Sequence, residues 1–239
     1  MRQIPKYGII GSGRVAKHFI HYFNLLNIEV KSWSRSTNTK HELESFSKNS
    51  DIVLILIKDD EIENFINANH IIQSKIIIHF SGCLSTDKAI GIHPLVSFGE
   101  TLYELEFYKK IAFIIDNQNF VFHKYFPFLA NEFHFIDKKL KPYYHALCVM
   151  SGNFSVILWA KLFNELESKF NITKEAAYPY LESIFTNIKA DHNKALTGPL
   201  SRDDQETINK NLLSLKEDPF HNIYKSFLKL FQRGNNGYQ

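Results

Sequence analysis

Gly11, Gly13 and Ala16 stand at the spacing G-x-G-x-x-A, between the apolar run Tyr7–Gly11 and an amphipathic stretch beginning at Val15. In that context the motif reads as a phosphate cradle. Gly11 permits a tight turn, Gly13 lets backbone approach a pyrophosphate, and Ala16 lets helix and strand pack closely. The N–H groups and dipole at the helix start attract the anion. Ser12, Arg14 and Val15 complete this half of an expected nucleotide site. The other half lies at the end of the next extended stretch, Glu29–Ser34. A binder of NAD usually places Asp or Glu there to hold the ribose 2′-hydroxyl. Here the chain reads Ser34-Arg35-Ser36, a guanidinium flanked by hydroxyls, which suits a 2′-phosphate. NADP is therefore expected in preference to NAD. Lys58 and Asp59 follow the apolar run Ile52–Ile57, and the carboxyl ends of such strands face the ligand in open α/β sheets. Asp60 is a candidate cap for the next helix.

A nicotinamide cofactor brings its own hydride, so the protein has only to place a substrate and handle one proton. His145 is the candidate proton donor or acceptor, because imidazole titrates near neutral pH. Gly152 and Asn153 lie seven and eight positions further on, near the same face of a helix, and Asn153 offers an amide to the reaction. Ser81 and Gly82 end the run Ile76–Phe80, where a glycine gives access to the nicotinamide edge. His93 is pushed to extended geometry by Pro94 and is a candidate substrate contact. Arg202, beside Asp203, follows Gly198-Pro199 and suits bidentate bonding to a carboxylate or phosphate. A plainer role stays open at each position: packing for His93, a satisfied hydrogen bond at a helix start for His145, helix capping for Asp203. His41, His70 and His79 lack the paired spacing of a metal site, and no metal is expected.

Placing these residues requires a scaffold. Apolar runs at Tyr7–Gly11, Ile52–Ile57, Ile76–Phe80 and Ile111–Ile115, and the strand-like alternation of Glu29–Ser34, are separated by stretches of helical spacing such as Val15–Leu26. That alternation predicts βαβ units and, with right-handed crossovers, a doubly wound, mostly parallel sheet of Rossmann type. After Pro142 the pattern turns helical over Tyr143–Phe170, Thr173–Lys189, Asp203–Leu215 and Pro219–Phe231. The expected organisation is an α/β nucleotide-binding domain at 1–140 and an all-helical substrate and dimerisation domain at 141–239, with a frayed tail from Arg233. The longest apolar stretch, Ala146–Ala160, is shorter than the ~20 residues of a membrane helix and reads as a buried core helix. Aromatic stripes at Phe154, Trp159 and Phe163, and at Phe220, Tyr224, Phe227 and Phe231, predict a homodimer through the helical domain.

Composition narrows the classes. The 239 residues carry 28 Lys and Arg against 25 Asp and Glu, a net charge of +3, too even for a nucleic-acid surface. Two cysteines, Cys83 and Cys148, make no disulfide framework or thiolate metal site. The start of the chain reads as a strand and not a secretory leader, which predicts a cytoplasmic protein without a membrane partner. Glycine is scarce, ten in all, so its grouping at Gly11 and Gly13 carries weight.

Together these segments resemble a known family. Gly11-Ser-Gly-Arg-Val-Ala16, Ser34-Arg35-Ser36 and Lys58-Asp59-Asp60-Glu61-Ile62 are three of its marks. Phe80-Ser81-Gly82, Ile92-His93-Pro94-Leu95, Tyr144-His145-Ala146, Ser151-Gly152-Asn153-Phe154 and the stretch Leu196–Asp203 are the others. They resemble bacterial proteins that join a Rossmann-like domain to a helical domain of unknown function and are commonly labelled NADP oxidoreductases. The wider group is similar to pyrroline-5-carboxylate reductase, to 6-phosphogluconate and β-hydroxyacid dehydrogenases, and to deazaflavin-dependent NADP reductases. The resemblance implies a hydride-transfer architecture, with the cofactor on the first domain, substrate in the interdomain cleft and helices often pairing two subunits. It names no substrate; a small polar metabolite, bearing a carboxylate or phosphate if Arg202 anchors it, is the expectation from the residues. One departure stands out. Related dehydrogenases often carry a catalytic Lys one helical turn from an Asn, but here Val149 and Ile157 flank Asn153 at that spacing. A protein that senses NADP without turnover is the alternative this departure keeps in play.

Overall fold

The structure, a computed structural model, describes residues 4–234. The strands are β1 (Tyr7–Ile10), β2 (Val30–Trp33), β3 (Ile52–Ile55), β4 (Ile76–His79), β5 (Ile90–Pro94), β6 (Phe113–Ile115) and β7 (Phe133–Phe135). They build one seven-stranded sheet in the order β2-β1-β3-β4-β5-β6-β7. Every pairing is parallel except that of β5 with β6. β1 and β3 are buried at all four positions, as continuous apolar strands at the centre of a parallel sheet must be. Strands β5 and β7 were not legible as runs: β5 is broken by Gly91 and Pro94, and β7 is three residues long.

Helices cover both faces. α1 (Arg14–Leu25) follows β1, α2 (Lys40–Lys48) follows β2, and α3 (Asp59–Ala68) follows β3. Side-chain alternation in the strands divides the core. Ile9, Leu54 and Ile78 pack with Phe19, Tyr22 and Phe23 of α1. Ile10, Val53, Ile55 and Ile77 pack on the other face with Leu43 and Phe46 of α2 and Ile62 and Ile66 of α3. The chain departs from β1 toward β2 on one side and arrives at β3 on the other, so the carboxyl end of β1 is the switch point where such sheets open a crevice. Lys58 is the residue preceding α3, and no side chain caps it; Asp60 sits inside the first turn instead of in the capping position.

Two short helices, α4 (Leu105–Lys109) and α5 (Phe122–Tyr125), precede β6 and β7. Asn131 ties this region together. Its amide nitrogen donates to the carbonyls of Tyr108 at 2.7 Å and Ile111 at 2.8 Å, and its oxygen accepts from the Tyr22 hydroxyl at 2.6 Å. All three bonds are buried.

The helical half comprises α6 (Lys141–Val149), a π-helical turn at Met150–Phe154, α7 (Ser155–Lys169), α8 (Tyr178–Ala190), α9 (Gln205–Ser214) and α10 (His221–Gly234). The chain separates into two compact units, one ending at Leu158 and the other beginning at Trp159. The reading of Ala146–Ala160 as a buried core helix is corrected. Lys138–Lys169 is one helical run of 32 residues whose most apolar 18-residue window has a mean hydropathy of 1.5 and no buried residue. By length and composition it would suffice to cross a membrane. Ser151, Asn153 and Ser155 do not interrupt the run, and helical spacing alone does not reveal what packs on a face. In the second unit, the described buried apolar residues are Ala177 and Ile208. Lys161 there bridges Glu165 at 2.8 Å and Asp218 at 2.7 Å. Asp204, not Asp203, caps α9: its carboxylate accepts from the Thr207 amide at 3.0 Å. The tail residues 235–239 lie outside the described residues.

Asn131→Ala leaves the Ile111 carbonyl and the Tyr22 hydroxyl without partners and the Tyr108 carbonyl with only the Ile111 amide at 3.1 Å. It should lower the free energy of unfolding by about 2–4 kcal/mol, read from urea melts; a change below about 1 kcal/mol would refute the accounting.

Candidate functional site

The site begins where β1 ends. Gly11 has φ +127°, and a Cβ on it would stand 2.2 Å from the Leu56 carbonyl oxygen. No side chain fits that backbone conformation or that gap. The Gly11 amide donates to the Trp33 carbonyl at 2.9 Å, tying the turn to the end of β2. Gly13 precedes α1, and space is open around it. No side chain caps α1, so the N–H groups of its first turn are left for a ligand.

A cleft of about 550 Å³ opens over this turn. Gly11, Ser12, Gly13, Arg14, Val15, Ser34, Arg35, Ser36, Lys58 and Asp59 all line it. Trp33, Glu61, Phe65 and Ser81 share the lining. Sequence reasoning gave Glu61 no role in the site. Its carboxylate holds Arg35 at 2.6 Å, and Glu100 likewise pairs with Arg14. Both guanidiniums of the cleft thus have exposed carboxylate partners. The Ser34 hydroxyl lies 3.0 Å from that of Ser36 and 2.8 Å from that of Thr37.

Ser81 lies at the far wall. Its hydroxyl donates to Asp59 and accepts from the amides of Cys83 at 3.2 Å and Leu84 at 2.8 Å. The side chain expected to meet a substrate is engaged in joining the ends of β3 and β4. Gly82 next to it is pressed by His145: a Cβ there would meet the imidazole Cδ2 at 2.3 Å. His145 in turn packs edge-on to His93, with ring centroids 5.7 Å apart. The His93 Nδ1 is 2.8 Å from the Tyr144 hydroxyl. The structure therefore brings Gly82, His93 and His145 together and adds Tyr144, which the sequence did not single out. Burial, then Cys148 beside it, pushes the Tyr144 phenol above its ordinary range, so it stays protonated while sharing a hydrogen bond with His93. Burial, then the neighbouring His145 and Lys141, lowers His93 to about 4.

Asn153 and Gly152 are exposed in the π-helical turn, a type of distortion found often at functional sites. Arg202 and Asp203 lie in the second unit, in the turn before α9, where Asp203 adopts φ 54°. Among the described residues, no group of three or more His, Cys, Asp and Glu side chains is placed to hold a metal ion. His79, unremarked in the sequence beyond its lack of metal spacing, is fully buried beneath the site. Its Nδ1 accepts from the Ser81 amide at 3.3 Å, and its Nε2 has no partner among the described residues. Burial, then Lys141 and Lys138, lowers it to about 3.

Residues 117–230 match the model of a family described as a domain of unknown function, DUF2520. Among curated proteins, none matches the sequence. Solved structures share the fold along nearly the whole chain. A candidate NADP oxidoreductase of Bacteroides fragilis is 17% identical, with 96% of this chain and 98% of that one covered at a TM-score of 0.76. A protein of Thermotoga maritima is 21% identical, with coverages of 95% and 97% and a TM-score of 0.70. The pyrroline carboxylate reductase of Plasmodium falciparum, solved with NADP bound, is 16% identical, with 95% of each chain covered at a TM-score of 0.58. At these identities the likeness is one of fold.

The two depressed histidines make stability depend on pH. Folded His79 and His93 bind their protons only near pH 3 and 4, whereas both take them up near 6.5 when unfolded. The unfolded chain therefore holds more protons between about pH 6.5 and 4, and stability falls as pH falls through that window. Urea midpoints should decline from pH 7 to 4.5, and His79→Gln should flatten the decline. An equal slope in the variant would count against the burial argument.

Proposed function

We propose that this chain is an NADP(H)-dependent oxidoreductase that moves a hydride to or from a small polar metabolite bearing a carboxylate or phosphate. The observation that carries the reading is the cleft itself. A glycine turn with no room for a side chain opens onto an uncapped helix, opposite Arg35 between two serines, with no acid at the end of β2. The fold neighbour solved with NADP supports the same choice.

When bound, the cofactor supplies the hydride. The remaining work falls to residues of this chain. The first-turn N–H groups of α1 hold the pyrophosphate, and Arg35, released from Glu61, bonds the 2′-phosphate. His145 lies against bare backbone at Gly82, so its ring can meet a substrate there and hand over or take up one proton. His93 stays neutral and, through Tyr144, sets the orientation of the side chains around that ring.

We further propose that a second copy of the chain covers the apolar helical run, making a cytoplasmic homodimer. Met150, Phe154, Val156 and Ile157 are each at least half exposed along it, and clustered exposed apolar side chains mark interaction surfaces.

Fluorescence titration tests the cofactor. NADPH should bind tighter than NADH, and Arg35→Ala should remove about 10- to 100-fold of NADPH affinity with little effect on NADH. Glu61→Gln should strengthen NADPH binding a few-fold, about the worth of an exposed ion pair. Tighter binding of NADH by the unmodified protein would refute the assignment. Turnover of NADPH with a panel of small acids, abolished by His145→Ala, separates an enzyme from a sensor. Light scattering tests the assembly: a mass of twice the 27.9 kDa chain is expected. A monomer that sediments with lipid vesicles would point to a membrane instead.

A further inference from the structure

Lys141 opens α6, and its side chain is buried to 1% exposure beside an Asp116 side chain exposed to 4%. Its ammonium donates to Asp116 Oδ2 at 2.6 Å, while Oδ1 of the same carboxylate accepts from the Gly91 amide at 2.9 Å. The Asp116 amide donates back to the Gly91 carbonyl at 3.1 Å. The pair rests on Gly91 itself. A Cβ there would stand 2.0 Å from the Lys141 nitrogen and 2.3 Å from the Asp116 carboxylate. Strand β5 thus carries a glycine at the position the ion pair occupies.

This contact and the His93 cluster are joined through the same two elements. His93 is two residues beyond Gly91 and projects from the same face of β5. Tyr144 and His145 are three and four residues beyond Lys141, on the same side of α6. The ion pair and the cluster are therefore successive contacts of one helix on one strand. A buried ion pair is weak evidence for stability, because apolar residues of the same volume commonly serve as well; what it supplies is a directional bond.

We infer that Lys141 is a positioning residue: its buried bond to Asp116 fixes the first turn of α6 over β5, so that Tyr144 meets His93 and His145 lies on Gly82. The importance of that cluster for chemistry rests on the oxidoreductase reading, but the positioning does not. The ammonium also adds a positive charge close to His93 and His79, which helps to hold both imidazoles neutral.

Histidine ring NMR on the full chain tests this without any substrate. The variant Lys141→Met with Asp116→Leu removes both charges together and leaves neither stranded. It is expected to fold with a lowered unfolding temperature, because the buried Gly91 amide loses its acceptor, and to bind NADPH within two-fold of wild type. Its His93 and His145 ring signals should nevertheless shift, and His93 should titrate above its wild-type midpoint. A second variant, Lys141→Gln with Asp116→Asn, keeps a hydrogen bond and the shape of the pair, and guards against misfolding of the first. Its His145 signal should stay near the wild-type position while His93 still titrates higher. Ring signals and titrations identical to wild type in either folded variant would overturn the inference. Failure of the wild-type protein to bind NADPH would overturn the cofactor reading and leave these NMR results to judge Lys141 alone.

Discussion

The carbonyl oxygen of Leu56 stands where a Cβ on residue 11 would have to go. That close passage of two backbones brings the exits of β1 and β3 together, and the cleft depends on it. Leu56 also donates its amide to the Ile10 carbonyl, and Gly11 donates to Trp33. These bonds carry the parallel ladder one step past the ends of the strands and link β2, β1 and β3 at their carboxyl edge. Asp59 extends the link to β4 by accepting the Ser81 hydroxyl. Four strand ends are thus joined in series. Arg35, Lys58 and the start of α1 sit on that series, so their positions follow from a gap too narrow for any residue but glycine.

The second layer of the site has a different origin. Gly82, His93, Tyr144 and His145 come from two loop or strand segments and one helix, and meet through ring contacts and a single hydrogen bond. His93 is held by the pairing of β5 with β6, but no backbone pairing joins Tyr144 or His145 to it. The helix that carries two of its members has to be held from outside the cluster. The buried bond between Lys141 and Asp116 is placed to do so.

This difference explains what the sequence could disclose. The glycine turn was legible because its requirements are local: a spacing of a few residues, a strand before and a helix after. The ten residues expected around the cofactor line one cleft because each sits at the end of a recognisable strand. Lys141 was illegible for the opposite reason. It lies in Lys138-Lys-Leu-Lys-Pro142, which reads as a charged linker, and its partner is 25 residues away. Lysine is almost never buried, so only the fold could reveal this one. Tyr144 likewise shows its partner His93 only across 51 residues. The apolar helical run was misread as core because composition reports that a face avoids water and not what covers it.

If the cleft takes a phosphate as proposed, it must keep its cations in place before the ligand arrives, yet release them to it. Free guanidiniums on an empty surface would sample many rotamers, and ordering them on binding would cost affinity. Pairing Arg35 with Glu61 and Arg14 with Glu100 restrains both side chains at the rim. Such exposed pairs are worth only about 0–1 kcal/mol, so a doubly charged phosphate that bonds a guanidinium bidentately displaces the carboxylate easily. The same carboxylates repel an anion that lacks a guanidinium to meet it. With a net charge of only +3 for the whole chain, the proposed preference for phosphate would rest on such local exchange and not on a basic surface.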